Sequence, residues 1–497
     1  MIFQEIFNNQ LEFLFPEFFL TIIFLVLLLF GVFFSKNQNF QEILILKNIT
    51  SIIIYLLLIL FLLTVNIPNI THTVLNGVFV ITNFTQFIKC VLILSTLVWF
   101  LVQQDYLIQQ KINFYEIHIL ILIALLGLMV LISSNHFITF YLAIELQSLS
   151  FYVLASMQRK SVLSVEAGLK YFILGSIASG FILYGSSILY GILGSLNFSS
   201  IFLIISNINF LNHTDILISL IYAFFFVVVG ILFKIGASPF HFWLPDVYEG
   251  APNNISAFFA IVPKISYIGI LIRLYFNIFF PISYFFEVFF YCVSFLSMVV
   301  GSLSSLQQNK IKRFLAYSSI SHVGFILIGF TSNKLCTIPF ILLYVIIYMI
   351  TSISIWTSYL SININHKPIK YITDFAAIHS INKGISLVLV INLFSLAGIP
   401  PLAGFFSKFF IFLSAIQNNH FGLVCGAIIV SIISSFYYLR IIKIIFFEKV
   451  VRTVFISQMS KSQSIVLSLS VHFILFFFFY PNIILTYLNK IYLYLLV

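Results

Sequence analysis

Long apolar runs, separated by short polar or Gly/Pro segments, occupy most of the chain. About 20 apolar residues are needed for a helix to cross the roughly 30 Å hydrocarbon core of a bilayer. Runs such as 18–34 and 52–65 are apolar on every side, whereas the strands of an outer-membrane barrel alternate apolar and polar residues. The pattern therefore predicts an all-α polytopic membrane protein with about fourteen spans. The predicted spans are 14–34, 43–65, 78–102, 117–133, 136–156, 168–191, 216–243, 252–276, 284–306, 313–330, 337–362, 385–416, 422–447 and 464–485.

Composition agrees with a chain whose main solvent is lipid. Hydrophobic residues are 61% of the 497 positions and charged residues only 8%, with a mean hydropathy of +1.14, while an ordinary soluble domain is about a quarter charged. The net charge of +10 is scattered between apolar runs, so nucleic acid is not an expected partner. The 62 Phe residues, with abundant Ile, Tyr and Asn, are typical of an AT-rich genome. They favour the mitochondrial inner membrane, with a bacterial plasma membrane as the alternative.

Basic loop residues fall mainly on one side of the predicted membrane. Loops after even-numbered spans hold little beyond Lys334. Loops after odd-numbered spans hold Lys36, Lys111, Arg159, Lys160, Lys310, Lys312, Lys367, Lys370, Lys449, Arg452 and Lys461. Under the positive-inside rule, both termini are then expected to face outward.

A weak internal repeat relates the two halves of the chain. Residues 141–143 in span 5 resemble 314–316 in span 10, and the Pro239 interruption of span 7 has a counterpart at Pro400-Pro401 in span 12. Spans 4–8 and 9–13 are thus predicted to be two five-helix units of opposite orientation. Inverted repeats with broken helices point to an ion path near the midplane. The predicted domains are an N-terminal three-helix segment (1–114), two repeats (115–276 and 277–450) and a C-terminal helix (451–497).

Ionisable side chains inside spans are candidates for function, because each costs about 2.5–3.5 kcal/mol to insert at the helix centre. The candidates for proton transfer are Glu145, Lys170, Lys234, Lys264, Lys408 and His322. Glu145 has no charged neighbour in sequence, so its partner has to come from another helix, and a structural ion pair is the alternative. Lys170 lies near the inner end of span 6, where a lysine that reaches the membrane surface explains it nearly as well. His322 either relays protons or forms structural hydrogen bonds.

Three of these lysines, Lys234, Lys264 and Lys408, share a predicted span with a nearby proline. Pro239 interrupts span 7 next to Lys234, and irregular backbone at membrane depth is tolerated only inside protein or along a wet cavity. Pro263-Lys264, and Pro400-Pro401 followed by Lys408, repeat the combination. Because a buried ammonium loses hydration of its charged form, it releases its proton more readily. We interpret these lysines as proton carriers, and for Lys234 a lysine anchored at a helix end is the alternative.

No cofactor ligand set is visible in the sequence. The four cysteines, Cys90, Cys292, Cys336 and Cys425, occur singly and without the C-x-x-C pairs of iron–sulfur or zinc sites. There is no Walker lysine loop, no G-x-G-x-x-G and no paired-histidine haem helix. We therefore expect no cofactor and no metal in this chain, and we expect redox chemistry to belong to other subunits.

The connection between spans 7 and 8 carries a family resemblance. Taken alone, its acidic residues Asp246 and Glu249 are expected to form a solvated turn at the membrane surface. Its sequence, Ser-Pro-Phe-His-Phe-Trp-Leu-Pro-Asp-Val-Tyr-Glu-Gly-Ala-Pro, resembles the signature of the antiporter-like membrane subunits of respiratory complex I, and within them the chain 2 branch. The likeness extends over roughly residues 115–450. The stretches that carry it are 141–149, 166–172, 234–264 and 395–405.

The resemblance implies a fourteen-helix subunit, partnered by other membrane-arm subunits, in an enzyme that couples NADH oxidation by ubiquinone to proton translocation. It also implies that Glu145 and Lys234 form a coupled pair and that Lys264 is the connecting residue. Lys408 would be the terminal lysine of span 12, where related antiporter-like chains have glutamate. A subunit of a cation/proton antiporter and a structural scaffold are the other interpretations. The intramembrane lysines argue against the scaffold, which gains nothing from their insertion cost.

Overall fold

The computed structural model describes residues 12–34, 41–68, 71–110, 114–208, 214–364, 367–448 and 459–493. Most of these residues are helical. The helices are α1 (Phe15–Phe34), α2 (Gln41–Val65), α3 (Asn83–Gln109), α4 (Glu116–Ser133), α5 (Phe137–Ala155), α6 (Val162–Leu193), α7 (Phe198–Asn207), α8 (Thr214–Ile235), α9 (Trp243–Gly250), α10 (Asn253–Arg273), α11 (Glu287–Leu306), α12 (Ile311–Ile328), α13 (Ile338–Ser361), α14 (Ile378–Ile381), α15 (Lys383–Ala397), α16 (Ala403–Ile416), α17 (Phe421–Phe447), α18 (Lys461–Phe476) and α19 (Pro481–Leu493). Two antiparallel hairpins pair β1 (His72–Val74) with β2 (Phe79–Ile81) and β3 (Asn363–Ile364) with β4 (Lys367–Pro368).

Within the described residues, twelve helices are long and apolar enough to cross a membrane. They correspond to the predicted spans apart from the tenth and the twelfth. The tenth is α12, whose first turn contains Lys312 and Arg313, and the twelfth is divided between α15 and α16. The prediction of an all-α polytopic membrane protein is confirmed.

Several local features differ from the predicted spans. The third span was expected to begin at residue 78, but Phe79–Ile81 is a strand and α3 begins at Asn83. A turn with positive φ at Leu75, Asn76 and Gly77 closes the hairpin before α3, since Asn-Gly favours such turns. The short helix α7 was not predicted. The last span, expected as 464–485, ends before Pro481, which begins α19 because proline is tolerated in the first turn of a helix but not inside one.

Two interrupted helices have the same ending. Helices α8 and α15 are followed by Gly236 (φ 81°) and Gly398 (φ 87°) in the left-handed conformation. At each, the amides of the glycine and of the next residue donate to carbonyls of the last turn, which is the Schellman arrangement. Pro239 and Pro401, each preceded by a cis peptide bond, stand three residues after their glycines. The interruptions therefore lie where the prolines predicted them.

The loops gather at two opposite ends of the bundle. At one end, Asn135 Nδ2 donates to the Gly77 carbonyl (2.9 Å) and to Asn197 Oδ1 (2.8 Å). At the other end, the Ile311 amide donates to the Lys370 carbonyl (3.1 Å). The first set follows even-numbered predicted spans and the second follows odd-numbered ones, while the count of fourteen spans stays a prediction. Four of the loop cations used in that prediction lie outside the described residues, namely Lys36, Lys111, Lys449 and Arg452.

Candidate functional site: a row of buried ionisable groups

Four of the candidate side chains are buried inside the bundle. Lys234, Lys264, His322 and Lys408 are 5%, 5%, 4% and 6% exposed, on α8, α10, α12 and α16 respectively. Each of these helices packs against the next, α8 on α10, α10 on α12 and α12 on α16. The fold therefore brings residues that are far apart in sequence into one row across the two halves of the chain.

Lys234 turns inward rather than toward the membrane surface. Its Nζ donates to the Tyr152 hydroxyl (3.3 Å) and lies 5.7 Å from the centre of that ring. The Phe233 carbonyl at the end of α8 accepts instead from Trp243 Nε1 (2.8 Å). With only 5% of Lys234 exposed, the alternative of a lysine anchored at a helix end does not describe its position.

Glu145 lies half-buried on α5 and is not in contact with Lys234. Among the described residues, no cation lies within the 4.0 Å of an ion pair with Glu145. Its Oε2 lies 3.3 Å from Ser148 Oγ, a hydroxyl that also lies 3.1 Å from the Glu145 backbone carbonyl. Lys234 is close enough to interact with its charge. The expected ion pair with another helix is thus not formed among the described residues, and the pairing of Glu145 with Lys234 stays a prediction.

Lys264 and His322 both have tyrosine hydroxyls as partners. Lys264 Nζ donates to the Tyr348 hydroxyl (3.4 Å) and lies 5.3 Å from the ring centre. His322 Nδ1 is 2.8 Å from the Tyr344 hydroxyl, and its Nε2 is 3.2 Å from the Tyr438 hydroxyl. A neutral imidazole donates through one nitrogen and accepts through the other, so both tyrosines are matched to the ring. The histidine is therefore hydrogen-bonded, as a structural role requires, and also lies in the row, as a relay requires.

Lys408 is held by the interruption of the twelfth predicted span. Its Nζ donates to the carbonyls of Leu396 (3.0 Å) and Ala397 (2.9 Å), and it lies 4.9 Å above the ring of Phe325. Those carbonyls end α15, where the last turn has no intrahelical donors and the helix dipole is negative. A small cavity separates Lys408 from His322. The helix break thus supplies the ligands of the ammonium group.

Lys170 lies apart from this row. Its ammonium pairs with Asp246 (2.7 Å) and Glu166 (2.8 Å), and its side chain is 42% exposed. Two carboxylates at the end of the bundle hold it in the charged form. Its position matches the explanation of a lysine that reaches the membrane surface.

Asp246 and Glu249 do not form the solvated turn that was expected, and that prediction is wrong. Arg313 Nη2 binds Asp246 Oδ1 (3.0 Å), and both Arg313 and Lys310 pair with Glu249, whose side chain is only 12% exposed. Lys312 donates to the Ala251 carbonyl (2.5 Å). The connection therefore joins α6 to α12. The error arose because its cations lie more than sixty residues away in the chain.

Two further intramembrane cations were missed. Lys89 forms an ion pair with Glu17 in which the side chains are 4% and 8% exposed. Arg273 Nη1 donates to the carbonyls of Ile132 and Ser134 at the end of α4, the second at 2.9 Å. Both cations lie inside predicted spans, at 78–102 and 252–276. The insertion-cost criterion applied to the other lysines would have found them.

Comparison with known proteins gives consistent matches. The family model described as NADH:quinone oxidoreductase/Mrp antiporter, TM, matches residues 134–434. The chain is 38% identical over 477 residues to "NADH-ubiquinone oxidoreductase chain 2" of Marchantia polymorpha, covering 96% of this chain and 97% of that protein. It is 35% identical to "NADH-quinone oxidoreductase subunit N" of Parvibaculum lavamentivorans, covering 94% of each. A chain of respiratory complex I from Thermus thermophilus has the same fold, with a TM-score of 0.77, 24% identity and coverage of 95% and 98%.

Proposed function

The chain belongs to the NADH:quinone oxidoreductase/Mrp antiporter transmembrane family, and from this premise we propose that it is a proton-translocating membrane-arm subunit of respiratory complex I. Relatives that match nearly the whole chain are named as subunits of NADH-ubiquinone or NADH-quinone oxidoreductase. The chain takes part in that enzyme as a subunit, with other membrane-arm subunits as its partners. The plant relative supports the mitochondrial inner membrane, and the bacterial relative supports a bacterial plasma membrane as the alternative.

The proposed topology has fourteen crossings. Helix α12 and the α15–α16 pair join the twelve longer helices, and spans 4–8 and 9–13 form two five-span units of opposite orientation. The glycine-ended interruptions support this assignment, because α8 and α15 begin the fourth span of each unit. Residues 1–114 and 451–497 flank the two units.

The observation that carries the proposed mechanism is the chemical nature of the partners in the buried row. Lys234 and Lys264 donate to tyrosine hydroxyls and Lys408 to backbone carbonyls. None of these partners is a carboxylate, so each ammonium is solvated without being neutralised. Burial disfavours its charged form. We assign the protons that move along the row to these groups.

Repulsion between neighbouring sites couples their protonation states. His322 interacts electrostatically with both Lys264 and Lys408. A proton that arrives on one of these groups disfavours protonation of the next, so the sites titrate as a coupled set. Lys170 has the weakest support as a carrier, because two surface carboxylates hold its proton.

Replacement of Lys234 by methionine tests the proposal. Methionine fills similar space but carries no transferable proton, so Lys234→Met should assemble into the complex while quinone-coupled NADH oxidation and vesicle acidification fall severalfold. Lys443→Met is the matched control, since Lys443 is exposed on α17 and should pump normally. Normal pumping by the assembled Lys234→Met complex would refute the proposed role.

A subunit of a cation/proton antiporter is the second candidate, because the description of the matching family covers both activities. Vesicles that contain the purified chain with its partners distinguish the two. Cation exchange driven by a pH gradient without NADH would favour the antiporter. Acidification that requires NADH and quinone, and that is indifferent to sodium, would favour the respiratory subunit.

A further inference from the structure

Tyr152 lies near both Glu145 and Lys234, the two residues that the family resemblance implies are coupled. It is 7% exposed, and its hydroxyl accepts from Lys234 Nζ at 3.3 Å. Ser148 lies one helical turn before Tyr152 on α5, and its hydroxyl is 3.3 Å from Glu145 Oε2. Because residues three, four and seven positions apart share a helix face, all three α5 side chains point the same way. The polar groups of one face of α5 therefore lead from the carboxylate towards the ammonium.

We propose that Tyr152 is a positioning residue through which Glu145 acts on Lys234. Its hydroxyl holds the ammonium in place and, through Ser148, transmits the state of the carboxylate. Direct pairing does not perform this function, since no ion pair within 4.0 Å joins Glu145 to Lys234 in the described residues. The inference rests on the proposed proton-transfer role of Lys234 and adds the residue that couples it to Glu145.

The neighbouring helix is shaped to leave room for this hydroxyl. A Cβ added to Gly175 of α6 would lie 2.2 Å from Tyr152 Oη, so a larger side chain and the hydroxyl cannot both occupy the site. The ring itself is fixed by edge-on contacts with Tyr171 (5.0 Å) and Phe172 (5.5 Å). Glycine inside a helix is less favourable than alanine. The close approach of the hydroxyl is a physical reason for glycine at this position.

The second lysine shows what is particular to Tyr152. Lys264 also donates to a tyrosine hydroxyl, that of Tyr348, so a neutral hydroxyl partner is common to both lysines. At Lys234 the hydroxyl in addition shares a face of α5 with Glu145 and with Ser148, which is 3.3 Å from Glu145 Oε2. We assign to this arrangement the link by which Glu145 influences Lys234. Tyr348→Phe therefore serves as an internal comparison, in which a hydroxyl partner is lost without interrupting that link.

A double-mutant cycle in the assembled complex measures the link. Tyr152→Phe keeps the ring and removes the hydroxyl, and we expect its pumping rate to fall about tenfold, since hydrogen bonds to charged groups are among the stronger ones. Glu145→Gln should reduce pumping as well. The double variant should pump at about the rate of the slower of the two single variants, because the effects of substitutions at residues that act as a unit are non-additive. Tyr348→Phe combined with Glu145→Gln should instead show losses that multiply.

Two matched controls separate coupling from packing. Tyr359→Phe removes another buried hydroxyl, which donates to the Ile369 carbonyl at 2.8 Å, and should pump normally. Gly175→Ala displaces the Tyr152 hydroxyl without removing it and should pump as poorly as Tyr152→Phe. Gly180→Ala on the same helix meets no atom within 4 Å and should pump normally.

The outcomes distinguish this inference from the proposed function. The role of Tyr152 alone would be overturned if the losses of Tyr152→Phe and Glu145→Gln multiplied. It would also be overturned if Tyr152→Phe pumped normally while Lys234→Met was inactive. Normal pumping by Lys234→Met would overturn the proposed function itself. If Tyr152→Phe does not assemble, Ser148→Ala interrupts the same link at its other member. The same non-additivity with Glu145→Gln is then expected, and its absence would equally overturn the inference.

Discussion

A buried ion pair in the N-terminal segment provides a stability prediction. Glu17 on α1 and Lys89 on α3 pair with only 8% and 4% of their side chains exposed. Glu17 Oε2 has no hydrogen-bond partner among the described residues, so the lysine is the main compensation for the carboxylate. Lys89→Met leaves that charge buried and uncompensated. Breaking such a pair lowers the free energy of unfolding by about 3–5 kcal/mol. Because both side chains are so little exposed, this value needs no discount for solvent screening.

The magnitude can be separated from general packing by removing both charges. Replacing a buried pair by apolar groups of similar volume is often neutral or stabilising, so Glu17→Leu with Lys89→Met should recover most of the loss. At about 1.36 kcal/mol for each factor of ten, 3–5 kcal/mol is a change of about two to four orders of magnitude in the equilibrium that docks α1 on the bundle. Each single variant should therefore be much less stable than the double variant.

Heat inactivation of the purified complex in detergent measures the effect, with native gels to report assembly. We expect the single variants to inactivate at clearly lower temperature than the wild type, and the double variant to lie close to it. If Lys89→Met is as stable as the wild type, the pair contributes nothing. Losses that simply add in the double variant would show that the two side chains act independently and that the attribution to an uncompensated charge is mistaken.

Two other outcomes follow from the fold. Lys408→Met removes the ammonium from the last carbonyls of α15. The assembled complex should then lose vesicle acidification as Lys234→Met does, and full activity would show that Lys408 carries no proton. Single cysteines at Lys160 and Asn76, in a background without the native cysteines, should react with impermeant reagents from opposite sides of the membrane, and labelling of both from one side would show that the span count is wrong.

Local patterns in the sequence were sufficient for the class of protein and for most spans. Membrane insertion depends on transfer free energies summed over a segment of about 20 residues, which needs no knowledge of neighbouring segments. The interruptions after Gly236 and Gly398 are equally local, because a glycine that ends a helix and a proline that follows act through their own backbone. The same holds for finding Lys234, Lys264 and Lys408, since a charge within an apolar run is visible without its partners.

Local patterns predicted structure less reliably where the same residue type is compatible with more than one element or contact. Phe79–Ile81 is apolar but forms a strand, because the turn before it folds the chain back on itself. The ion pair of Lys89 and the capping role of Arg273 were missed, although both cations lie within predicted spans. The insertion-cost criterion could have found both cations, but which carboxylate and carbonyls on other helices they bind depends on the packing of those helices.

By itself the sequence determined a polytopic helical membrane protein, the interruptions of two helices and the positions of Lys234, Lys264 and Lys408 within apolar runs. Only the tertiary structure decided what those cations contact. Lys234 meets a hydroxyl 82 residues away in the chain, Lys264 one 84 residues away, and Glu249 pairs with a lysine 61 residues away. Hydropathy and helix termination depend on adjacent residues, whereas these contacts depend on how separate helices pack. For that physical reason, Tyr152 could be recognised as the link between Glu145 and Lys234 only after α5 and α8 had been placed in space.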